Sequence, residues 1–121
     1  MVKKVLTIDD QGGIRRLIRM TLEFEGHTVI EAMDAITGLQ AVHDEKPDLI
    51  LLDLNMPRIP GLELCRRLSH DPKLSAIPVI LLTSCEDPEV RQRGREAGAK
   101  AFLTKPFSPV QLLDLIEEYT R

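Results

Sequence analysis

Tryptophan is absent, and one tyrosine and three phenylalanines make up the whole aromatic complement, 3% of the chain. Surfaces that stack bases or sugars need several aromatic faces within reach of one another, so such platforms are excluded. Charge of one sign is equally scarce. Sixteen Lys and Arg against 19 Asp and Glu leave −3 with no block of like charge, so neither a nucleic-acid partner nor a charged tail is expected. No apolar run approaches the roughly 20 residues of a membrane span. Met1-Val2-Lys3-Lys4 leads straight into a short strand pattern, with no apolar leader or cleavage site, and a cytoplasmic location is expected. The two cysteines, Cys65 and Cys85, have no metal-like spacing, and a reducing compartment keeps them as thiols. Neither G-x-G-x-x-G nor the P-loop pattern occurs, and Gly12-Gly13 alone is too little for a nucleotide or flavin site. Repeats, low-complexity segments and internal linkers are missing too.

What is present is an alternation. The 121 residues suit one domain, 1–121, and 43% apolar content suffices for its core. Val5 to Ile8 reads as a strand ending in Asp9-Asp10. Gly12 to Phe24 reads as a helix with Ile14, Leu17, Ile18, Thr21 and Phe24 on one side and Arg15, Arg16, Arg19 and Glu23 on the other. Gly26 stops it. His27 to Ala32 is a second strand. Asp34 caps a helix to about Glu45 with Ile36, Leu39, Ala41 and Val42 apolar, and Pro47 breaks it. Asp48 to Asp53 is a strand of near-continuous aliphatics, the mark of burial on both faces. A loop with Pro57, Pro60 and Gly61 enters a helix that turns Leu64, Cys65 and Leu68 inward. Val79 to Leu82 ends in Thr83, and Pro88 opens a helix stopping near Gly98. Ala101 to Leu103 is a short strand followed by Lys105-Pro106. Ser108-Pro109 starts a last helix to about Tyr119. Strands alternating with helices predict an α/β domain with a five-stranded parallel sheet, helices on both faces, in the flavodoxin-like order 2-1-3-4-5.

In such a sheet the carboxyl ends of the strands share one edge, and ligands collect there. That edge receives Asp9 and Asp10, Asp53, Thr83 and Lys105. Each has a plain structural explanation alone, as a helix cap, a strand end or a solvated lysine. Together they are harder to dismiss. Three carboxylates repel one another unless a cation intervenes. Mg²⁺ takes oxygen ligands, and Asp9, Asp10 and Asp53 with a backbone carbonyl near Asn55 make a plausible partial shell. A carboxylate can attack a phosphoryl group, and an ammonium and a hydroxyl can neutralise its oxygens. The parts fit phosphoryl transfer to Asp53.

These residues resemble the receiver domain of two-component response regulators across essentially the whole chain. The resemblance rests on Asp9-Asp10, on Asp53-Leu54-Asn55-Met56-Pro57 with Gly61, on Thr83-Ser84, and on Gly98-Ala99, Phe102 and Lys105-Pro106-Phe107. It implies that Asp53 is the phosphoacceptor in a Mg²⁺-dependent reaction, with Mn²⁺ as an alternative ion. It makes Asp9, Asp10, Asp53 and the Asn55 backbone carbonyl the metal ligands. Lys105 and Thr83 would contact the phosphoryl group, the Ser84 backbone would help hold it, and Phe102 would be the switch aromatic. Asn55 and Cys85 occupy the positions that tune phosphoryl lifetime. The implied partners are a histidine kinase or histidine phosphotransfer protein, and an output domain or protein on the 88–119 face. A homodimer through Leu115 and Tyr119 is a further expectation, as is kinase docking through Arg15, Arg16 and Arg19. The chain would be a signalling phosphoacceptor, catalysing only its own phosphoryl transfer and slow autodephosphorylation.

Some positions depart from the family pattern. Pro60 replaces the usual Asp or Ser before Gly61. Phe102 stands for the commoner tyrosine. Gly94 lies mid-helix where alanine is usual, and glycine there costs about 0.5–1 kcal/mol, predicting a looser helix. The alternatives are an interaction module with a vestigial site and an aspartate-based phosphohydrolase. The complete acidic set opposes the first. The second would carry nucleophile and acid two apart after the first strand, where this chain has adjacent acids.

Overall fold

The structure is a computed structural model and describes residues 2–121. Ten elements alternate: β1 (Lys4–Ile8), α1 (Gly12–Phe24), β2 (Thr28–Ala32), α2 (Ala35–Glu45), β3 (Leu49–Asp53), α3 (Gly61–His70), β4 (Val79–Thr83), α4 (Pro88–Glu96), β5 (Ala101–Thr104) and α5 (Pro109–Tyr119). All strand pairings are parallel, in the order β2-β1-β3-β4-β5. The expected architecture and order are therefore observed. Every residue of β3 and β4 is buried, as central strands covered on both faces require. Among the described residues no helix is long and apolar enough to cross a membrane.

Side-chain alternation divides the core in two. Leu6, Ile8, Ile50, Leu52, Val79 and Leu81 face α2 and α3, with Ala97 and Ala99 closing that layer. Val5, Leu49, Leu51, Ile80, Leu82 and Leu103 face α1 and α5. Thr7 shares this second face. Its hydroxyl is fully buried and has no hydrogen-bond partner among the described residues.

The caps read in the sequence are in place. Asp34 accepts from Thr37 N, and Ser108 and Gln111 form a reciprocal capping box. Two helix faces differ from expectation. In α1 the buried residues are Ile18 and Leu22, with Ile14 half-buried, while Leu17 is 41% and Phe24 89% exposed. The reason is geometric: α1 shares its sheet face with α5, so it covers only a narrow i, i+4, i+8 stripe. In α2 Val42 is buried and Leu39 and Ala41 pack half-buried as expected, Ala35 and Gly38 join them, and Ile36 is exposed. Small residues let that helix lie close on Ile8.

On α5 the wide apolar arc is used for packing. Leu112 and Ile116 are buried, and Leu113, Leu115 and Tyr119 pack half-buried on the same core. Gly94 is also better explained by the structure than by propensity. It is the buried residue of α4, turned toward the sheet, and Phe102 lies against it.

Candidate functional site

The sheet order reverses between β1 and β3, and the crevice outside their carboxyl ends is where α/β sheets bind ligands. Asp9 follows β1 directly and Asp53 is the last residue of β3. One carboxylate oxygen each from Asp9, Asp10 and Asp53 lies within 4.8 Å of the other two. Asp9 and Asp53 are buried, whereas Asp10 is exposed.

Lys105 closes this group from the other side of the sheet. Its backbone N–H donates to the Thr83 carbonyl at 2.8 Å. Its ammonium then reaches past β4 to Asp9 Oδ2 at 3.0 Å, Asp53 Oδ1 at 3.3 Å and Gln11 Oε1 at 3.3 Å. One cation therefore offsets two buried anions, which leaves the site short of positive charge. The Asp53 carboxyl shows the consequence. Burial pushes it above the ordinary carboxylate range, the Asp9 charge adds to this, and Lys105 and the Asn55 N–H only partly oppose it.

The two oxygens of Asp53 are not equivalent. Oδ1 accepts from Lys105 and, at 3.3 Å, from Asn55 N. Oδ2 has no hydrogen-bond partner among the described residues. The loop after β3 is folded back tightly at this point. Gly61 N donates to the Leu54 carbonyl at 3.1 Å. A Cβ at residue 61 would collide with the Asp53 carbonyl oxygen and lie 2.8 Å from Leu54 Cα, so only glycine fits the return of the chain. Buried Met56 pins the loop to the core, and Arg58 adopts φ 68.

Of the remaining sequence-predicted residues, Asn55 meets the acids through its backbone N–H, and the side chains of the others are engaged elsewhere. Thr83 is fully buried, but its Oγ1 turns into its own loop, accepting from Cys85 N at 3.0 Å and lying 3.5 Å from the Cys85 carbonyl. Ser84, Cys85 and Asn55 are exposed. Cys85 Sγ accepts from Asp87 N at 3.4 Å. Phe102 is half-buried against α4.

Two site residues escaped the sequence reading. Gln11 supplies the third oxygen on Lys105 and donates its N–H to Asp9 Oδ1 at 2.9 Å. Its place directly after the acidic pair was the available signal. Arg15 donates from Nη1 to the Asp9 carbonyl at 2.6 Å. Arg15 and Arg19 both pair with Glu31 of β2, at 3.0 and 2.6 Å. Two of the three α1 arginines thus tie the helix to β2, and Arg15 also holds the first loop, tertiary contacts that helical spacing does not announce.

The donor set is wholly carboxylate oxygen, which suits a hard divalent cation such as Mg²⁺. An acidic pocket with an ammonium and a buried threonine at one sheet edge can stabilise the charge of a phosphoryl group.

Comparison with known proteins agrees with this geometry. Residues 5–117 match the model of the response regulator receiver domain. The chain is 39% identical over 119 residues to the phosphate regulon transcriptional regulatory protein PhoB of Pseudomonas aeruginosa, covering 98% of this chain and 52% of that protein. It is 39% identical over 121 residues to the response regulator PleD of Caulobacter vibrioides, covering all of this chain and 27% of that one. The chain thus spans about half the length, or less, of these curated relatives. Among solved structures, the chemotaxis protein CheY4 of Vibrio cholerae superposes with a TM-score of 0.93 at 32% identity, covering 98% of this chain and 99% of that one. The chain belongs to the response regulator receiver domain family, signalling domains of two-component systems.

Proposed function

We propose that Asp53 is the phosphoacceptor of this receiver and that the observation carrying the assignment is the asymmetry of its carboxylate. Oδ1 is held by Lys105 and Asn55 N, while Oδ2 has no partner among the described residues. Oδ2 attacks the phosphorus of a phosphohistidine on a histidine kinase or phosphotransfer partner. The P–N bond breaks, its electron pair stays on the imidazole nitrogen, and that ring takes up a proton. Asp9, Asp10, Asp53 and the Asn55 carbonyl would hold Mg²⁺, or alternatively Mn²⁺, which when bound supplies positive charge to the phosphoryl oxygens.

The chain's own residues supply the rest. Lys105 pivots from the carboxylates onto a phosphoryl oxygen. Thr83 Oγ1 leaves Cys85 and donates to another, and the Ser84 N–H takes a third. Phe102 responds to the space Thr83 vacates, which shifts a two-state equilibrium. The output domain or protein reads the 88–119 face, and a second copy of the chain is an alternative occupant of that face. Asn55 and Cys85 set the phosphoryl lifetime. Cys85 is small and uncharged, so it orders attacking water less than an acid would, and autodephosphorylation is slow. The free thiols Cys65 and Cys85 suit the reducing cytoplasm, the compartment we assign.

The test is labelling with a small phosphodonor in Mg²⁺. Wild type takes up one acid-labile phosphoryl group per chain, and Asp53→Asn takes up none. Equal labelling of the two overturns the assignment.

A further inference from the structure

Phe102 does not lie on a smooth helix surface. We propose that Gly94 is a notch in α4 that seats the Phe102 ring, and that this seat sets the resting position of the ring. The missing side chain is what makes the contact. A Cβ at residue 94 would collide with Phe102 Cζ and lie 2.7 Å from Cε2 and 2.9 Å from Leu81 Cδ1. Real Cβ atoms do not approach so closely, so the ring occupies the space an alanine methyl would fill.

The rest of the seat is built by two arginines of the same helix. Arg91 and Arg95 place their guanidinium carbons 5.1 and 5.7 Å from the ring centroid. At i−3 and i+1 from Gly94 they flank the notch. Arg91 is itself anchored, since its Nη2 donates to Thr104 Oγ1 on β5 at 2.9 Å. The ring is therefore held by a notch beneath it and cations beside it. Leu81 pairs with Phe102, and Thr83 with Thr104, in the β4–β5 register. Strand alternation puts Phe102 on the same sheet face as Thr83. A ring that must leave this seat to answer Thr83 loses the notch contact and both cations.

This makes Gly94 a positioning residue acting through Phe102. It deepens the proposed function and rests on it for the link between ring and phosphoryl group; the seat itself is testable without any phosphoryl group. The chain has only three phenylalanines, Phe24, Phe102 and Phe107. Incorporating 4-fluorophenylalanine thus gives three ¹⁹F resonances, assigned by replacing each with leucine. In the unliganded protein the Phe102 resonance should show a smaller H₂O/D₂O isotope shift than that of exposed Phe24. Gly94→Ala should move the Phe102 resonance and raise its isotope shift toward that of Phe24, with Phe24 and Phe107 unchanged. It should also lower Tm, and Phe102→Leu in the same chain should restore it.

An unmoved Phe102 resonance with a raised Tm, the result of an ordinary Gly→Ala change inside a helix, overturns the proposal. If Gly94→Ala fails to fold, the double variant decides. Recovery supports the seat, and continued failure assigns the clash to Leu81 and overturns it. Beryllium fluoride with Mg²⁺ then tests the link. Movement of the wild-type Phe102 resonance supports it. A rise in Tm on adding beryllium fluoride, with the ring unmoved, overturns the link to switching. If beryllium fluoride leaves Tm unchanged, the Asp53 assignment fails, while the unliganded comparison still decides the seat.

Discussion

The carboxyl edge of the sheet has two halves built on opposite plans. The acid half is stitched together across the fold: residues from the β1–α1 loop, the end of β3 and the segment after β5 meet at the Lys105 ammonium. In the response half the side chains are tied more locally, although the backbone of both residues belongs to the β4–β5 edge. Thr83 bonds within its own loop, and Phe102 rests on α4 and its arginines. Long-range ties hold groups still, which is what stabilising a transferring charge requires. Local ties can be exchanged one for another at small cost, which is what a two-state response requires. On the proposed function, the fold has its chemistry assembled in advance and leaves its answer free to move.

The widest separation of the halves comes from two substitutions. Asp53→Asn should reduce phosphoryl labelling to background and abolish the ¹⁹F response of Phe102. Thr83→Ala should keep labelling, read as acid-labile phosphate, while the Phe102 response is lost. If Thr83→Ala removes labelling as completely as Asp53→Asn, the two halves are one unit.

How much of this was readable in advance differs between the halves in the same way. Strand ends and sheet order alone put Asp9, Asp10, Asp53, Thr83 and Lys105 on one edge, because a parallel sheet fixes where carboxyl ends go. Gln11 and Arg15 were not placed there, since side-chain reach depends on rotamers that no spacing encodes. Gly94 was seen only as a helix weakness, because propensity is local and the ring that fills its notch lies eight residues further on. Leu17 and Phe24 share the apolar side of α1 and yet lie exposed for a related reason. Periodicity shows that a helix has an apolar side but not how much of it a neighbouring helix, here α5, leaves to be covered.

The acid half should respond to cations more than any other part. Mg²⁺ at 100 times its Kd should stabilise the fold by about 2.7 kcal/mol, the mass-action value for a single site, and Asp53→Asn should gain much less. Denaturant melts with and without a chelator measure this. Lys105→Ala should cost about 2 kcal/mol in the absence of Mg²⁺, since it removes the charge-assisted hydrogen bonds to two buried carboxylates.

The pH dependence has a definite sign. Asp53 is held above its unfolded pKa, so the folded chain binds its proton more readily than the unfolded one. Stability therefore falls as pH rises from the ordinary value of 3.8 through the raised one. Asp53→Asn should melt higher than wild type at pH 7 without Mg²⁺, and the difference should close toward pH 3.8. A wild type that melts higher at pH 7 would mean that the Lys105 pairing outweighs burial, and that the acid half is not short of positive charge.

The smallest effect tests whether the stiffness of the acid half reaches below the edge. Thr7 lies two residues before Asp9, and its buried hydroxyl has no partner among the described residues. An orphaned hydroxyl among aliphatic side chains is a desolvation cost with nothing returned, so Thr7→Val should stabilise the fold by about 1 kcal/mol. The valine keeps the shape and the β-branch, so β1 and the placement of Asp9 should be unaltered. Labelling and the Phe102 response should then be the same as in wild type. A loss of labelling in this variant, measured beside its Tm, would show instead that the hydroxyl holds a buried water serving the acids, and that the acid half extends a full strand deeper than its side chains.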